Sequence, residues 1–569
     1  MDAGILAFVP RPSSYRLALP LLVALALAGC PERHPRPDAG VPRDAEAPED
    51  GSAPDDDGGT GDAGRDDAGA LDAGTRDAGM RDGGVPTGDS EPAPPAEVLR
   101  PGTGGFLLRG TVLAPSGPIS PGEVLIVGNT ITCVAADCSG EPMADTVTVI
   151  DTHAVISPGL IDGHNHATYN FLPEWIPDPL ELFGSRYDWR ADPDYREHVR
   201  PEADGGTRGD FVCPSTKWAE LRSIVHGTTT IQGQSPRQAC IDRLARNADH
   251  AHGLGTDHMQ TTIAGPCESG LSDAARVNLV NNFRDGSTTR YAVHMAEGVT
   301  GNTTMTTNVL REYDCYAGRY RYTTSLLFDS DDTPFETAMF IHAVTLTDAQ
   351  LVEAAMANAR FVWSPSSNIL LYGGTAPIGR MLELGLKVGL GPDWTLSGSD
   401  EMLSELRFAE DWALAEGVAA ITPAVLHRMA TEWGADAVGL EASIGQLAPS
   451  MRADVAVFGR VASDPYRAVV DSRAADVRLV MIDGVAYYGD LALEGAAAVN
   501  GDCETLDACG TDKFLCAANT PVTSPESNPP RPPDPRAAET VEDIRGQLRA
   551  HLASYGRQDE LLELVDCSL

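Results

Sequence analysis

Over about 280 residues, short apolar runs alternate with stretches of helical period, and few architectures accept that pattern. The apolar runs include 155–161, 228–231, 291–293, 338–341, 361–363 and 387–390. Helical periodicity appears at 347–359 and 401–416. Strand and helix in alternation imply parallel strands joined by crossover helices. The expected fold class is therefore α/β, with a (β/α)8 TIM-type barrel over 155–444. On either side, 106–113, 123–127 and 146–150, and then 453–458 and 477–482, read as strands separated by Gly and Pro turns. Strands from both flanks predict one small β-sandwich, built from 106–154 and 445–490.

The outer parts of the chain read differently. Arg11 and Arg16 precede an apolar run from Leu17 to Ala28, too short to span a bilayer as a mature helix. It ends Leu27-Ala28-Gly29-Cys30, which resembles a bacterial lipobox. Residues 1–30 are thus expected to be a lipoprotein signal peptide, with a lipid anchor at Cys30 as the only membrane contact. An ordinary secretory signal is the alternative. Either one exports the protein, to the cell envelope if it is anchored. From 31 to 105 the chain is Asp, Ala, Gly and Pro, with Asp-Ala-Gly recurring at 38–40, 62–64, 72–74 and 77–79. With almost no aromatic or β-branched residues to offset ordering entropy, a disordered tether is expected.

Net charge is −40, so binding to a phosphate backbone is not expected. Of eleven cysteines, ten remain after Cys30, and an oxidising compartment favours disulfides. Cys133 and Cys138 are close enough to pair. Cys503, Cys509, Cys516 and Cys567 form a second group, in a 491–569 extension with a helix expected at about 537–564. Their spacing lacks the CxxC of a zinc knuckle, so disulfides are preferred there to a metal.

The chemistry begins at His164-Asn165-His166, just past an apolar strand. Residues i and i+2 of a strand share a side, so both imidazoles point together at a strand's C-terminal end, where barrel enzymes place their sites. Alone the pair is weak. The whole stretch, Ile156-Ser157-Pro158-Gly159-Leu160-Ile161-Asp162-Gly163-His164-Asn165-His166, resembles the PG(L/F)ID-x-H-x-H signature of the amidohydrolase superfamily. The resemblance continues in order. His294-Met295-Ala296-Glu297 is similar to the HxxE of the cytosine deaminase and triazine hydrolase branch. Phe340-Ile341-His342 is similar to its next strand, and Trp363-Ser364-Pro365-Ser366-Ser367-Asn368 to its (C/S)PxSN segment. Gly389-Leu390-Gly391-Pro392-Asp393 resembles GLGTD with Pro for Thr. Met429-Ala430-Thr431 through Leu440, Gly445 and Ala453-Asp454 resemble the closing pattern.

The resemblance implies that His164, His166, His294 and Asp393 hold one divalent metal ion, zinc or ferrous iron. It implies catalytic roles for Glu297 as proton shuttle, for His342 toward the attacked group, and for Asp393 as a proton acceptor. Binuclear relatives use a carbamylated Lys at the fourth strand, expected here at 257–263. The chain has only Lys217, Lys387 and Lys513, none near that strand, which argues for one ion. Cys267 and Glu268 follow that strand and could stand in for the Lys. His226 reads as structural. His250, His252 and His258 lie near the fourth strand, and His258 could face substrate. Tyr169 and Trp394 are candidate pocket walls.

The expected function is hydrolysis of a non-peptide carbon–nitrogen bond in a small molecule, foremost deamination of a heterocyclic amine or amidine. Cyclic amide opening of the imidazolonepropionase kind, and a non-catalytic binding lipoprotein on the same fold, are the alternatives. Self-association into a homo-oligomer is left open.

Overall fold

The computed structural model describes residues 89–567, apart from 178–180, 201–210, 234–243, 251–253, 255–258, 263, 269–270, 302–306, 498 and 519–537. The signal peptide, Cys30, most of the tether, and His252 and His258 lie outside the described residues.

Eight short strands run parallel in two hydrogen-bonded sheets. Leu160–Asp162 (β1), Thr228–Ile231 (β2) and Arg246–Asn247 (β3) make one. Met259–Thr262 (β4), Arg290–Met295 (β5), Ala338–His342 (β6), Arg360–Trp363 (β7) and Val388–Leu390 (β8) make the other. The sheets approach each other at both edges. Past β3, Asp249 accepts a hydrogen bond from Thr261 of β4 at 2.6 Å. Past β1, the Gly163 N–H donates to Leu390 O at 2.9 Å and the Asp393 N–H to His164 O at 3.1 Å, and Asn165 and Asp393 pair as a parallel bridge. Fold class is thus α/β, as expected.

Period-two alternation decides what each strand residue meets. In β5, Tyr291, Val293 and Met295 join the main apolar core with Phe340 and Phe361. Ala292, one step out of phase, packs in a second cluster with Met339, Ile341 and Val362. His294 is two residues past Ala292 and shares its face.

The helices expected at 347–359 and 401–416 are Asp348–Met356 and Met402–Ala415. The first begins with a capping box between Thr347 and Gln350, and the second with Glu401 accepting from the Leu403 and Ser404 amides. Between them Pro365–Tyr372 (α1) starts on Pro365 and stops at Gly373, whose φ of 67° ends the helix in the left-handed conformation.

Strands from both flanks form one hydrogen-bonded sheet of ten. Gly105–Ala114, Gly117–Val127, Thr130–Ala135 and Thr148–Pro158 meet Val455–Phe458, Val477–Ile482 and Val485–Asp490 across the pairing of Thr148–Pro158 with Val455–Phe458. Three boundaries differ from expectation. Glu97–Arg100 pairs with Thr148–Pro158, and Glu91–Pro92 with Arg460–Val461, so the tether reading runs too far at 105. The strand Thr148–Pro158 crosses the 154/155 boundary without a break. Asp502–Asp507 and Asp512–Ala518 extend this same sheet, so the 491–569 extension is not separate from it. The acidic run Asp502-Cys503-Glu504 hides that hairpin, since only its partner strand carries a buried apolar run, Phe514 to Ala518. A buried pair, Arg246 with Asp454 (two contacts of 2.9 Å), ties β3 to the sheet.

The C-terminal helix is Val541–Ala553, shorter than expected because Gly556, with φ 75°, turns the chain. Ile544, Leu548 and Leu552 are buried, and the following segment hydrogen-bonds back: Leu562 N–H to Phe171 O at 3.0 Å, and Trp218 Nε1 to Leu562 O at 2.8 Å. A disulfide joins Cys133 to Cys138 as expected, and the second group, whose connectivity the sequence left open, pairs Cys503 with Cys516 and Cys509 with Cys567. A fourth joins Cys267 to Cys315.

Candidate metal centre and active site

The strand ends bring the predicted residues to one place. Nitrogen atoms of His164, His166 and His294 lie within 4.8 Å of one another, as do ligand atoms of His164, His342 and Asp393, and of His294, Glu297 and His342. His164 and His166 follow β1, His294 lies in β5, Glu297 follows β5, His342 ends β6, and Asp393 follows β8. Asp393 sits at φ 74° and His342 at φ 69°, backbone conformations that non-glycine residues adopt at a cost and that here turn both side chains into the cluster. Gly391 has no space for a side chain: a Cβ there would lie 2.5 Å from the His164 nitrogen.

Hydrogen bonds fix which atoms face the centre. Gln232 Oε1 lies 3.1 Å from His164 Nδ1, and its own amide nitrogen donates to Asp249 and Thr261. That amide orientation makes Nδ1 the protonated nitrogen of His164 and leaves a lone pair on Nε2. Nε2 then stands 3.2 Å from Asp393 Oδ1, and His166 Nε2 stands 3.4 Å from the same oxygen. Asp393 Oδ2 is occupied by the Ser367 hydroxyl at 2.7 Å. His164 Nε2, His294 Nδ1, His342 Nε2 and Asp393 Oδ1 are buried, and none has a hydrogen-bonding partner. Converging lone pairs without donors are costly in a buried site, and a cation resolves them. The donor set of three imidazoles and a carboxylate fits a divalent metal.

The electrostatics agree. Burial and the neighbouring imidazoles hold His294 well below the ordinary imidazole range, and burial lowers His166 to about 4. Both are neutral near pH 7, as ligands must be. Burial alone would lower His164 and raise Asp393. Their mutual contact wins in both cases, so His164 is raised and Asp393 lies below the usual carboxylate range.

Glu297 is held on two sides. Tyr372, the last residue of α1, donates to Oε1 at 2.7 Å, and Trp189 Nε1 donates to the Tyr372 oxygen at 2.9 Å. Oε2 lies 3.5 Å from Arg186 and 3.6 Å from His342 Nε2. Arg186 is anchored by Glu312 at 2.7 Å, and burial pushes Glu312 up to about 7. His342 Nδ1 faces Asn368 Oδ1 at 3.0 Å, and the Asn368 amide nitrogen donates to Thr375. Burial lowers His342, so Nε2 presents a lone pair toward the centre.

A cavity of about 380 Å3 opens onto the cluster, with His166, His294, Glu297 and Asp393 at its floor. Tyr169 and Trp394 line it as expected, 5.5 Å apart, and Trp189 packs 5.3 Å from Trp394. His226 is structural, its ring nitrogen 2.7 Å from Arg222 O. Gln232, Arg186, Trp189, Glu312 and Tyr372 were not foreseen. Gln232 directly follows the strand Thr228–Ile231 that the Gly227-Thr228-Thr229-Thr230 segment opens, a position the sequence could have flagged; the others lie in segments without a readable pattern.

Residues 211–486 match the model of the amidohydrolase family. The chain is 25% identical over 419 residues to the 5'-deoxyadenosine deaminase of Methanothermobacter thermautotrophicus, covering 68% of this chain and 94% of the relative. It is 28% identical over 415 residues to a 5-methylthioadenosine/S-adenosylhomocysteine deaminase of Desulfitobacterium hafniense, covering 67% and 92%. Among solved structures, E. coli guanine deaminase superposes with a TM-score of 0.53 at 17% identity, over 68% of this chain and 99% of that one. An adenosine deaminase from Xanthomonas campestris with bound zinc gives 0.52 at 18%, over 68% and 94%. These two likenesses concern the fold.

Proposed function

We propose that this chain, a member of the amidohydrolase superfamily, is a metal-dependent deaminase of heterocyclic amines. The observation that carries the reading is the set of four buried, donorless atoms on His164, His294, His342 and Asp393, converging beside the Glu297 carboxylate. The eight parallel strands are read as one closed (β/α)8 barrel, supported by the main-chain bonds between the ends of β1 and β8. The ten-stranded sheet is read as a sandwich folded over its own apolar clusters.

His164, His166, His294 and Asp393 would hold one ion, zinc or ferrous iron. Bound there, it supplies Lewis acidity that makes hydroxide available near neutral pH. A single ion is supported by the lysines, each of which has a carboxylate partner away from the cavity: Lys217 with Glu539, Lys387 with Asp436, and Lys513 with Asp490. Cys267 is committed to its disulfide and so is not a bridging ligand.

The remaining work falls to protein groups. Glu297 takes a proton from the attacking water and returns it to the departing amine, which then leaves as ammonia. Tyr372 and Arg186 hold its two oxygens so that the proton moves along a fixed line. His342, its Nδ1 engaged by Asn368, accepts a hydrogen bond through Nε2 from the tetrahedral centre as it forms. Asp393 serves as a second proton acceptor through Oδ1. Tyr169, Trp189 and Trp394 form the wall against which a planar ring lies.

The chain is further read as an exported, envelope-anchored lipoprotein, lipidated at Cys30. Its four disulfides among the described residues support an oxidising compartment. The test is ammonia release from a panel of purines, pyrimidines and their nucleosides by metal-loaded protein, beside the Glu297→Gln variant. Ammonia from at least one ring, lost in the variant, is the expected result. No release from any ring, or a variant as active as the parent, refutes the assignment.

A further inference from the structure

Two buried carboxylates share one guanidinium. Arg186 Nη2 donates to Glu312 Oε1 at 2.7 Å, while Arg186 Nη1 stands 3.5 Å from Glu297 Oε2. The walls of the cavity include Arg186, Tyr187 and Glu297 but not Glu312, which is fully buried. Glu312 therefore meets no substrate directly. Its oxygens nevertheless gather the groups that surround Glu297. Oε1 also accepts from the Tyr187 hydroxyl at 2.9 Å, and Oε2 accepts from the Ala296 N–H at 2.7 Å. Ala296, with φ of 51°, directly precedes Glu297. From the other side, the Arg186 N–H donates to Glu297 O at 3.2 Å, and Ser185 bridges Gly298.

The segments around Glu312 are fixed without help from the metal ligands. Glu312 opens the helix Glu312–Tyr316, and Cys315 in that helix is disulfide-bonded to Cys267. The Arg276 guanidinium donates to Cys315 O at 2.8 Å and to Pro266 O at 3.2 Å, so it holds the same two segments. Gly265 backs onto the cluster. A Cβ there would collide with Arg186 Nη2, Glu312 Oε1 and the Tyr187 oxygen at once. The cluster thus fills its space completely, and Arg186 lies closer to Glu312 than to Glu297.

We propose that Glu312 is a positioning residue for the proton carrier: it competes with Glu297 for Arg186 and keeps the guanidinium from closing onto Glu297. The proposal rests on the deamination reading only for what Glu297 then does. A buried guanidinium left with one carboxylate pairs with it through two parallel donors, and breaking such a pair is costly. Glu297 so paired would be drawn from the Tyr372 hydroxyl and lose the freedom to turn between the attacking water and the leaving amine. With Glu312 present, Arg186 steers Glu297 from 3.5 Å without capturing it.

The experiment compares the metal-loaded parent with Glu312→Gln and Gly265→Ala. The first keeps the shape of the side chain and removes its charge. The second leaves Glu312 in place and adds only bulk, because Gly265 is outside the left-handed region. Steady-state kinetics on the best substrate of the purine and pyrimidine panel are joined by metal analysis and by crystal structures of all three proteins. In both variants kcat is expected to fall, at least about tenfold in Glu312→Gln, with KM moving less than about threefold and metal content kept. The variant structures are expected to show Arg186 in hydrogen-bonding contact with Glu297, at about 3 Å, and Glu297 turned from Tyr372. Parental kcat in Glu312→Gln, a KM that rises as far as kcat falls, loss of metal with activity, or an unchanged separation of Arg186 and Glu297 overturns the proposal. Should Glu312→Gln fail to fold, the same readings on Gly265→Ala decide. If the parent releases ammonia from no ring, the deamination reading fails, and the separation of Arg186 and Glu297 in the variant structures alone decides the role of Glu312.

Discussion

The hydroxyl of Tyr372 donates a 2.7 Å hydrogen bond to Oε1 of Glu297, and both groups are buried. It holds the proposed proton carrier from the end of a short helix that follows β7. Removing the hydroxyl leaves the fold of that helix intact but frees the carboxylate to rotate. Tyr372→Phe is expected to lower kcat roughly tenfold to a hundredfold, with KM changing less. Steady-state kinetics on the best substrate of the panel check this. A variant with parental kcat would remove Tyr372 from the catalytic assembly.

Metal content should follow the four named ligands. Mass spectrometry of purified protein is expected to find one zinc or iron per chain, and His294→Ala should lose most of it. Two ions per chain would sink the single-ion site.

Proton competition should be mild. His166 is already neutral above about 4 and His294 is lowered as well, whereas His164 is raised above its ordinary 6.5 by Asp393. Only His164 must release a proton to metal in the neutral range, so affinity falls as pH falls. Between pH 7 and pH 5 the logarithm of the binding constant should drop with a slope of about one. Competition titrations against a chelator measure it. A slope near three would mean that all three imidazoles titrate together.

Arg246 and Asp454 join β3 to the ten-stranded sheet. Asp454→Ala takes away the two-point carboxylate partner of a buried guanidinium that also meets the more exposed Asp483 at 3.0 Å. The expected cost is about 3 kcal/mol, read as a lower urea midpoint. A loss of stability under 0.5 kcal/mol would show that the pair with Asp454 is not what holds this seam.

Much of the site was legible because its residues fall at strand ends within ordered motifs. His164, His166, His294, Glu297, His342 and Asp393 do meet in space. The residues that steer them were not legible. Tyr372 and Arg186 act through contacts across 75 and 111 positions of sequence, and no local period reports such a distance. The same holds for Cys267 and Cys315, 48 apart. The strands around β5 to β8 were foreseen because they are continuous apolar runs. The strand Asp502–Asp507 was not, because four of its six residues are acidic or exposed and its strand character comes from pairing. Propensity is weakest where partners, rather than side chains, make the strand.

The main-chain bonds between the ends of β1 and β8 carry a consequence for the spacing of the ligand set. Asp393 and His164 are joined through their own backbone, and Asn165 and Asp393 bridge, while Gln232 aims the His164 ring and Ser367 the Asp393 carboxylate. Hydrogen bonds of the fold itself therefore set how far apart these two ligands stand. A substitution that loosened this edge would spread the ligands even if it touched none of them, and metal affinity would report the change before stability did.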